Sequence, residues 1–331
     1  MSSAQTMASR ASIQVRENTL SPFAQDVLDG LSVSPKQLSS KWFYDEHGDA
    51  LFQAIMASPE YYLTDAELSI FQTCAGRLHT QLGATAIDLI ELGAGDGTKT
   101  KFLIDGLREA GTDIRYIPVD ISANALEGLG QSAAVWWPDQ DFIPLEGEYF
   151  QALESLPAGE KDRKRLLLFP GANIGNFPMD QARRFLRELR MFLRRGDFLL
   201  IGFDLKKDPA QVLAAYNDPG GHTAAFNLNL LSRINRELGA DFDLNYWKHW
   251  ETYDPGTGAA RSQIVSTREQ VVRVEKLNRA FSFRAWEAIS VEVSQKYGLH
   301  EIERLAGATG YRFVEHFQDE HGWFSDSLWR A

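Results

Sequence analysis

Residues 87–97 read Ile87-Asp88-Leu89-Ile90-Glu91-Leu92-Gly93-Ala94-Gly95-Asp96-Gly97. The apolar run closing on an acid predicts a buried strand over 86–92, the glycines a tight turn, and the residues from Thr98 a helix over 98–110. Glycine is required where a turn demands positive φ or where backbone must press against a ligand. A strand feeding such a turn is how a doubly wound α/β domain begins its nucleotide cradle. Spacing narrows the cofactor. A dinucleotide fingerprint with glycines at Gly93 and Gly95 wants its third where Thr98 stands, and here it falls at Gly97. That spacing disfavours NAD.

Working outward, strand-like and helix-like segments alternate from about residue 85. A second strand is expected over 115–120, ending at Asp120, and a third over 142–145. Leu166-Leu167-Leu168-Phe169 is a continuous apolar run bounded by turn signals, as in a parallel strand covered on both faces. It leads into Pro170-Gly171-Ala172-Asn173-Ile174-Gly175-Asn176. A helix over 180–194 places Ala182, Phe185, Leu186 and Leu189 on one face, and a strand over 198–203 ends at Asp204. The fold class expected is therefore α/β, a doubly wound Rossmann-like sheet. The E-x-G-x-G-x-G form of the turn resembles the first motif of class I S-adenosylmethionine (SAM) methyltransferases.

The alternation stops near residue 206. Up to about 283 the chain reads as helix and then hairpin, with Asp254-Pro255-Gly256-Thr257-Gly258 a turn between strand-like runs. It resumes as a helix over 298–309, a strand over 311–317 and a last strand over 324–330. The expected organisation is a SAM-binding domain of 72–205 plus 293–331, a substrate-binding α+β lobe of 19–71 plus 206–292, and a loose tail over 1–18. Two lobes meeting at the carboxyl ends of the strands would form a cleft there.

Composition bounds the partners. With 34 Lys and Arg against 45 Asp and Glu, the net charge is −11, a field that repels polyanions, so nucleic acid is not an expected substrate. The basic run Lys161-Asp162-Arg163-Lys164-Arg165 reads as a solvated loop. Cys74 stands alone, which excludes an intrachain disulfide and a thiolate cluster. The seven histidines form no HxxxH or HxH pair, and no metal is expected. No apolar run reaches the roughly 18 residues of a membrane span, and the first 18 residues lack the apolar core of a secretory signal. A monomeric cytoplasmic protein acting on a small molecule is the expectation.

Asp120, 23 positions after Gly97, can accept from both hydroxyls of a ribose, or can cap the helix after Ser122. Lys99 can reach a cofactor carboxylate or be a surface lysine. Glu148 and Tyr149 stand where an acid and an aromatic could hold an adenine. Asn176 offers donor and acceptor in one side chain, suited to an amino acid's carboxylate and amine, or forms a turn. Glu292 in Val291-Glu292-Val293-Ser294 could equally be a surface acid on a strand.

Motifs spread along the chain carry a wider resemblance. They are Lys41-Trp42-Phe43-Tyr44-Asp45, Pro59-Glu60-Tyr61-Tyr62, the glycine turn, Asn173-Ile174-Gly175-Asn176-Phe177 and Gly202-Phe203-Asp204-Leu205-Lys206-Lys207-Asp208. Further on come Ala214-Ala215-Tyr216-Asn217-Asp218, Thr223-Ala224-Ala225-Phe226-Asn227, Asn235-Arg236-Glu237-Leu238 and Glu292-Val293-Ser294-Gln295-Lys296-Tyr297. From about residue 25 to the C-terminus the sequence resembles the L-histidine Nα-methyltransferases of ergothioneine biosynthesis. The resemblance implies three SAM-dependent methylations of one α-amine, giving hercynine and S-adenosylhomocysteine. It implies that Tyr61, Asn176 and Tyr216 hold the amino acid's carboxylate and amine, that Tyr44 and Phe52 line the pocket near the amine, and that Glu292 and Ser294 hydrogen-bond the imidazole. Tyr44 and Asn176 are the catalytic candidates. On the cofactor side it implies Gly93, Gly95, Lys99, Asp120, Glu148 and Tyr149, although members of that family carry Asp-Phe at the last pair. They also carry an acid-methionine pair where this chain has Arg261-Ser262. If Ser262 faces the side-chain pocket, an apolar wall has become small and polar, and another amino acid such as tryptophan or tyrosine stays open as the acceptor.

Overall fold

The strand expected over 86–92 is β1 (Ala86–Leu92), in a computed structural model that describes residues 20–157, 160 and 162–331. The tail over 1–18 and Lys161 of the basic run lie outside the described residues. Ahead of β1 run α1 (Pro22–Ser32), α2 (Glu46–Met56), α3 (Leu63–Thr73) and α4 (Ala75–Leu82). After it come α5 (Thr98–Glu109), β2 (Asp113–Asp120), α6 (Ala123–Trp136), β3 (Asp141–Phe142), β4 (Leu145–Glu146), α7 (Tyr149–Glu154) and β5 (Lys164–Phe169). Then follow α8 (Met179–Met191) and β6 (Phe198–Asp204). The third strand, expected unbroken over 142–145, is instead two short pieces that both pair with β2. Pro144 between them has no N–H to give the ladder.

Next come α9 (Pro209–Ala215), α10 (His222–Leu238), β7 (Trp247–Asp254), β8 (Ala259–Ser266), β9 (Gln270–Val274), β10 (Arg279–Phe283) and β11 (Ala288–Gln295). The chain closes with α11 (Leu299–Ala308), β12 (Arg312–Gln318) and β13 (Phe324–Arg330). The main sheet has the order β12-β13-β6-β5-β1-β2-β3. Neighbours from β6 to β3 are parallel, while β13 runs antiparallel to both β6 and β12. The strand order therefore reverses between β1 and β5, which opens a crevice at their carboxyl ends.

Successive β1 side chains point to opposite faces, and both faces are covered. Ile87 and Leu89 join a core with Phe71 of α3, Leu78 of α4 and Leu103 of α5. Ile90 and Leu92 join a second with Leu186 of α8 and Ile302 of α11. This double burial is why the strand reads as an apolar run rather than an alternating one.

The segment expected as an insertion forms its own sheets: β11-β8-β7, antiparallel, and the β9–β10 pair. A third apolar core, including Phe23, Phe43, Phe226, Leu231, Ile264 and Ile289, ties these strands and α10 to the N-terminal helices. A β-bulge between Ser290 and Glu292 shifts the register, so that Glu292 stands opposite Ser262, which itself stands opposite Glu251. Directly opposed residues share a face, so these three form one row across the sheet.

Candidate active site

The glycine turn after β1 forms one wall of a cavity of about 690 Å³, part of it open to solvent. Gly93 and Gly97 sit at φ of 72° and 68°, where a side chain strains the backbone. A Cβ on Gly97 would lie 2.4 Å from Leu129 Cδ1, and one on Gly93 would lie 3.2 Å from the Tyr149 hydroxyl. The Gly95 N–H donates to Asp120 Oδ2 at 3.0 Å, and the Ser122 N–H donates to Asp120 Oδ1 at 2.9 Å. Asp120 therefore steadies the turn and also caps the segment before α6, which is the capping role open in the sequence. Gly95, Asp120, Glu148 and Tyr149 do not line this cavity; Gly93 and Lys99 do.

Lys99 forms a short ion pair with Glu67, a fully buried acid on α3 that also accepts from the Gly171 N–H at 2.6 Å. Burial pulls the Lys99 pKa down, but the Glu67 carboxylate outweighs it and the net shift is upward. Glu91 lines the same cavity and accepts from the Thr100 and Tyr116 hydroxyls. Burial pushes its pKa up to about 7.

A second cavity, of about 600 Å³, shares Phe52, Tyr61, Leu63, Gly171 and Asn173 with the first. The two are contiguous. Five candidate residues from different parts of the chain meet in it: Tyr44, Phe52, Tyr61, Tyr216 and Asn176, with Glu292 and Ser294 on the β11 side. Asn176 ends the turn after β5. That turn packs on β11 through Gly175, where a Cβ would fall 2.8 Å from the Gln295 carbonyl oxygen. The aromatic wall is built edge to face: Tyr44 lies 5.6 Å from Phe52 and 5.5 Å from Phe226, and Tyr61 lies 6.5 Å from Tyr216. Burial raises the pKa of Tyr61 and Tyr216 well above 10. Tyr44 moves the same way, through burial and then the Glu292 carboxylate, but the residue as a whole is 49% exposed and the effect of burial is weaker there.

Glu292 is held at about 7, by burial first and then by Glu251, with Lys296 opposing. Ser262 does not line the cavity. It is buried, and its hydroxyl donates to Glu251 Oε2 at 2.7 Å. Sequence reasoning passed over the groups that hold the site from behind. Lys296, fully buried, donates to Tyr216 Oη at 2.6 Å and Ser294 Oγ at 2.8 Å and pairs with Asp204 Oδ2 at 2.6 Å. Asp204 also accepts from the Tyr62 hydroxyl at 2.9 Å and pairs with Lys207. The two lysines hold its carboxyl below the usual range against the burial that would raise it. Phe226, Asn173, Thr223 and Asn227 also line the second cavity. Their signal was membership of the quoted motifs, and for Lys296 also the period-2 set Glu292, Ser294, Lys296.

The model of the family described as "Histidine-specific methyltransferase, SAM-dependent" matches residues 23–331. The chain belongs to this family. It is similar to the histidine N-alpha-methyltransferase of Mycobacterium tuberculosis, at 36% identity over 304 residues covering 92% of this chain and 93% of that protein. The enzyme of the same name from Mycolicibacterium smegmatis gives the same identity and coverage. Ergothioneine biosynthesis protein 1 of Schizosaccharomyces pombe is 30% identical across 85% of this chain and 37% of its own, longer length.

The protein is thus a SAM-dependent methyltransferase with the class I fold, and its residues fit that methyl donor. The turn at Gly93 to Gly97 leaves backbone bare at the strand end, Lys99 supplies a cation for a carboxylate, and Glu67, Glu91 and Asp96 line a wall suited to cationic groups. Among the described residues, no cluster of His, Cys, Asp and Glu could hold a metal ion, and no helix is long and apolar enough to cross a membrane.

Proposed function

We propose that this methyltransferase trimethylates the α-amine of L-histidine, giving hercynine for ergothioneine biosynthesis. The observation that carries the reading is one cavity in which Tyr61, Tyr216 and Asn176 converge with Glu292 and Ser294, opening directly into the cavity of the glycine turn. SAM, when bound, supplies a methyl group on a cationic sulfonium. On this reading Gly93, Gly95, Lys99, Asp120, Glu148 and Tyr149 hold it, with Lys99 at its carboxylate, Asp120 at the ribose, and Glu148 and Tyr149 at the adenine.

Tyr61, Tyr216 and Asn176 hold the acceptor's carboxylate and amine. Positioning supplies most of the rate in a displacement of this kind, and the amine must be neutral to react. The raised pKa of Tyr44 keeps it a phenol, so it accepts an amine N–H and passes a proton on through water rather than acting as a strong base. Tyr44, Phe52 and Phe226 form an aromatic wall suited to the quaternary ammonium of the product. Glu292 and Ser294 hold the imidazole. An acceptor with no donor there would leave a partly buried carboxylate unpaired, at a cost of about 1–3 kcal/mol.

Further parts of the proposal are a SAM-binding domain of 72–205 plus 293–331 with a substrate lobe of 19–71 plus 206–292, and a cytoplasmic monomer that does not act on nucleic acid. The 292/293 junction falls within β11, which makes β11 the strand shared by both parts. Light scattering tests the monomer. Mass spectrometry after incubation with SAM and each amino acid tests the reaction. Histidine should gain three methyl groups, and no product from histidine, or faster methylation of tryptophan, would refute the proposal.

A further inference from the structure

Counting hydrogens at the ring end of the acceptor cavity restricts what can bind there. Lys296 Nζ has three N–H groups and three partners: Tyr216 Oη, Ser294 Oγ and Asp204 Oδ2. Both hydroxyl oxygens therefore accept from it. Tyr216 Oη and Ser294 Oγ are also 2.9 Å apart, so one hydroxyl donates to the other. Two O–H groups enter this arrangement and only one is left for the cavity. If Tyr216 gives that proton to the acceptor's carboxylate, Ser294 must donate to Tyr216 and can show the ring only a lone pair.

Two neighbouring groups, Asn227 and Glu251, add unpaired acceptors, beside one unpaired hydroxyl, Thr223 Oγ1. Ser262 stands behind the wall with its one proton committed to Glu251, so it supplies no donor. Asn227 donates its Nδ2 to the Thr223 carbonyl oxygen at 3.0 Å, leaving a buried Oδ1 with no partner. Glu251 Oε1 also has no partner.

We infer that the site takes its acceptor with an N–H on both ring nitrogens, as an imidazolium rather than as neutral imidazole. This rests on the histidine reading above. A neutral ring has one donor and one bare nitrogen, and the bare nitrogen would face a lone pair. Charge permits this: three buried or partly buried carboxylates, Glu251, Glu292 and Asp204, face two ammonium groups, Lys207 and Lys296. The count is neutral with a cationic ring beside an ionised Glu292 and equally with a neutral ring beside a protonated one, so it is the hydrogen-bond count that selects the cation. The other titratable groups around Glu292 are the phenols of Tyr44, Tyr61 and Tyr216, and His249 lies behind, with its Nε2 3.7 Å from Glu251. Below about pH 7, where Glu292 is protonated in the empty site, that proton moves from its carboxyl oxygen to the ring's bare nitrogen and the total is unchanged; at pH 8, where Glu292 is ionised, binding takes one proton up from solvent. In this arrangement Glu251 is a positioning residue: it orients Ser262 and adds the second negative charge.

The test is nitrogen NMR of ring-labelled histidine bound to the enzyme with S-adenosylhomocysteine at pH 8, where the free ring is neutral. Both ring nitrogens should report as protonated in the complex, and one unprotonated nitrogen would overturn the inference. Histidine that fails to bind at all would instead refute the substrate reading, so the two failures are distinguishable. In Glu251→Gln the bound ring should lose its second proton at least about tenfold more readily, a shift of one pH unit or more. An unchanged titration in that variant would remove Glu251 from the device. The wild-type measurement is decisive even where that variant does not fold.

Discussion

Replacing Glu292 by glutamine separates what the carboxylate does for the acceptor from what it does to the fold. Burial first, and then Glu251, hold this acid at about 7 against an ordinary 4.5. Below about pH 4.5 it is protonated in both folded and unfolded chains and has no effect on the balance between them. Between there and pH 7 the unfolded chain gives up the proton and the folded chain keeps it, so stability falls as pH rises. Above pH 7 the full penalty applies, at most about 3 kcal/mol. Because the group is partly exposed, solvent screening reduces this to about 1–2 kcal/mol. Glutamine removes the penalty, so the variant should melt about 1.5–3 °C higher than the parent at pH 8, with no gain at pH 4.5, by differential scanning fluorimetry. Histidine affinity should move the opposite way: losing a charge-assisted hydrogen bond of about 1.5–3 kcal/mol weakens binding roughly ten- to a hundredfold by calorimetry. Affinity for S-adenosylhomocysteine should stay the same. A variant no more stable at pH 8 than its parent, or one that binds histidine as well, would refute the reasoning.

Gly97→Ala should cost about 1–3 kcal/mol of stability and weaken SAM binding, since the new Cβ meets Leu129 at 2.4 Å on a backbone of positive φ; thermal melts and a SAM titration check both. Lys296→Met leaves Asp204 buried with one cation fewer and should cost about 3–5 kcal/mol, with Asp204→Asn in the same chain recovering part of it in denaturant melts. Tyr216→Phe keeps the ring but removes the hydroxyl that joins Lys296 and Ser294, so KM for histidine should rise about tenfold, with little change in KM for SAM; equal rises in both would contradict the assignment.

The main sheet was legible because its strands are covered on both faces and read as apolar runs: Ile87–Leu92 and Leu166–Phe169 declare themselves. The hairpin turn at Asp254–Gly258 was equally plain, and it joins β7 to β8. The candidate residues that came from motifs, Tyr44, Tyr61, Asn176, Tyr216 and Glu292, do meet in one cavity. What the sequence hid depends on long-range placement. Glu67 sits in an amphipathic helix, where an acid ordinarily faces water, yet it is sealed between Lys99 and Gly171. Asp204 and Lys296 are 92 residues apart, and no local pattern announces an ion pair between them. The bulge at Val291 leaves no mark on the alternation, but it sets Glu292 opposite Ser262. The expectation for Ser262 rested on the family resemblance, which puts an acid-methionine pair where this chain has Arg261-Ser262. Its actual partner, Glu251, lies eleven residues away on the neighbouring strand.

The antiparallel strand β13 has a consequence for how the chain is made. It pairs with β6 along seven residues, although the two are separated by the whole of α9 through β12. During synthesis β6, the apolar sequence Phe198 to Asp204, must wait for more than a hundred residues before its partner exists. Until then it is an open edge with a full row of unpaired amides, the kind of surface that recruits a neighbouring chain. The segment that builds the β7–β8–β11 sheet is also the delay that holds the main sheet unfinished. Loss of the last strand would therefore show first as aggregation, before any change in methyl transfer could be measured.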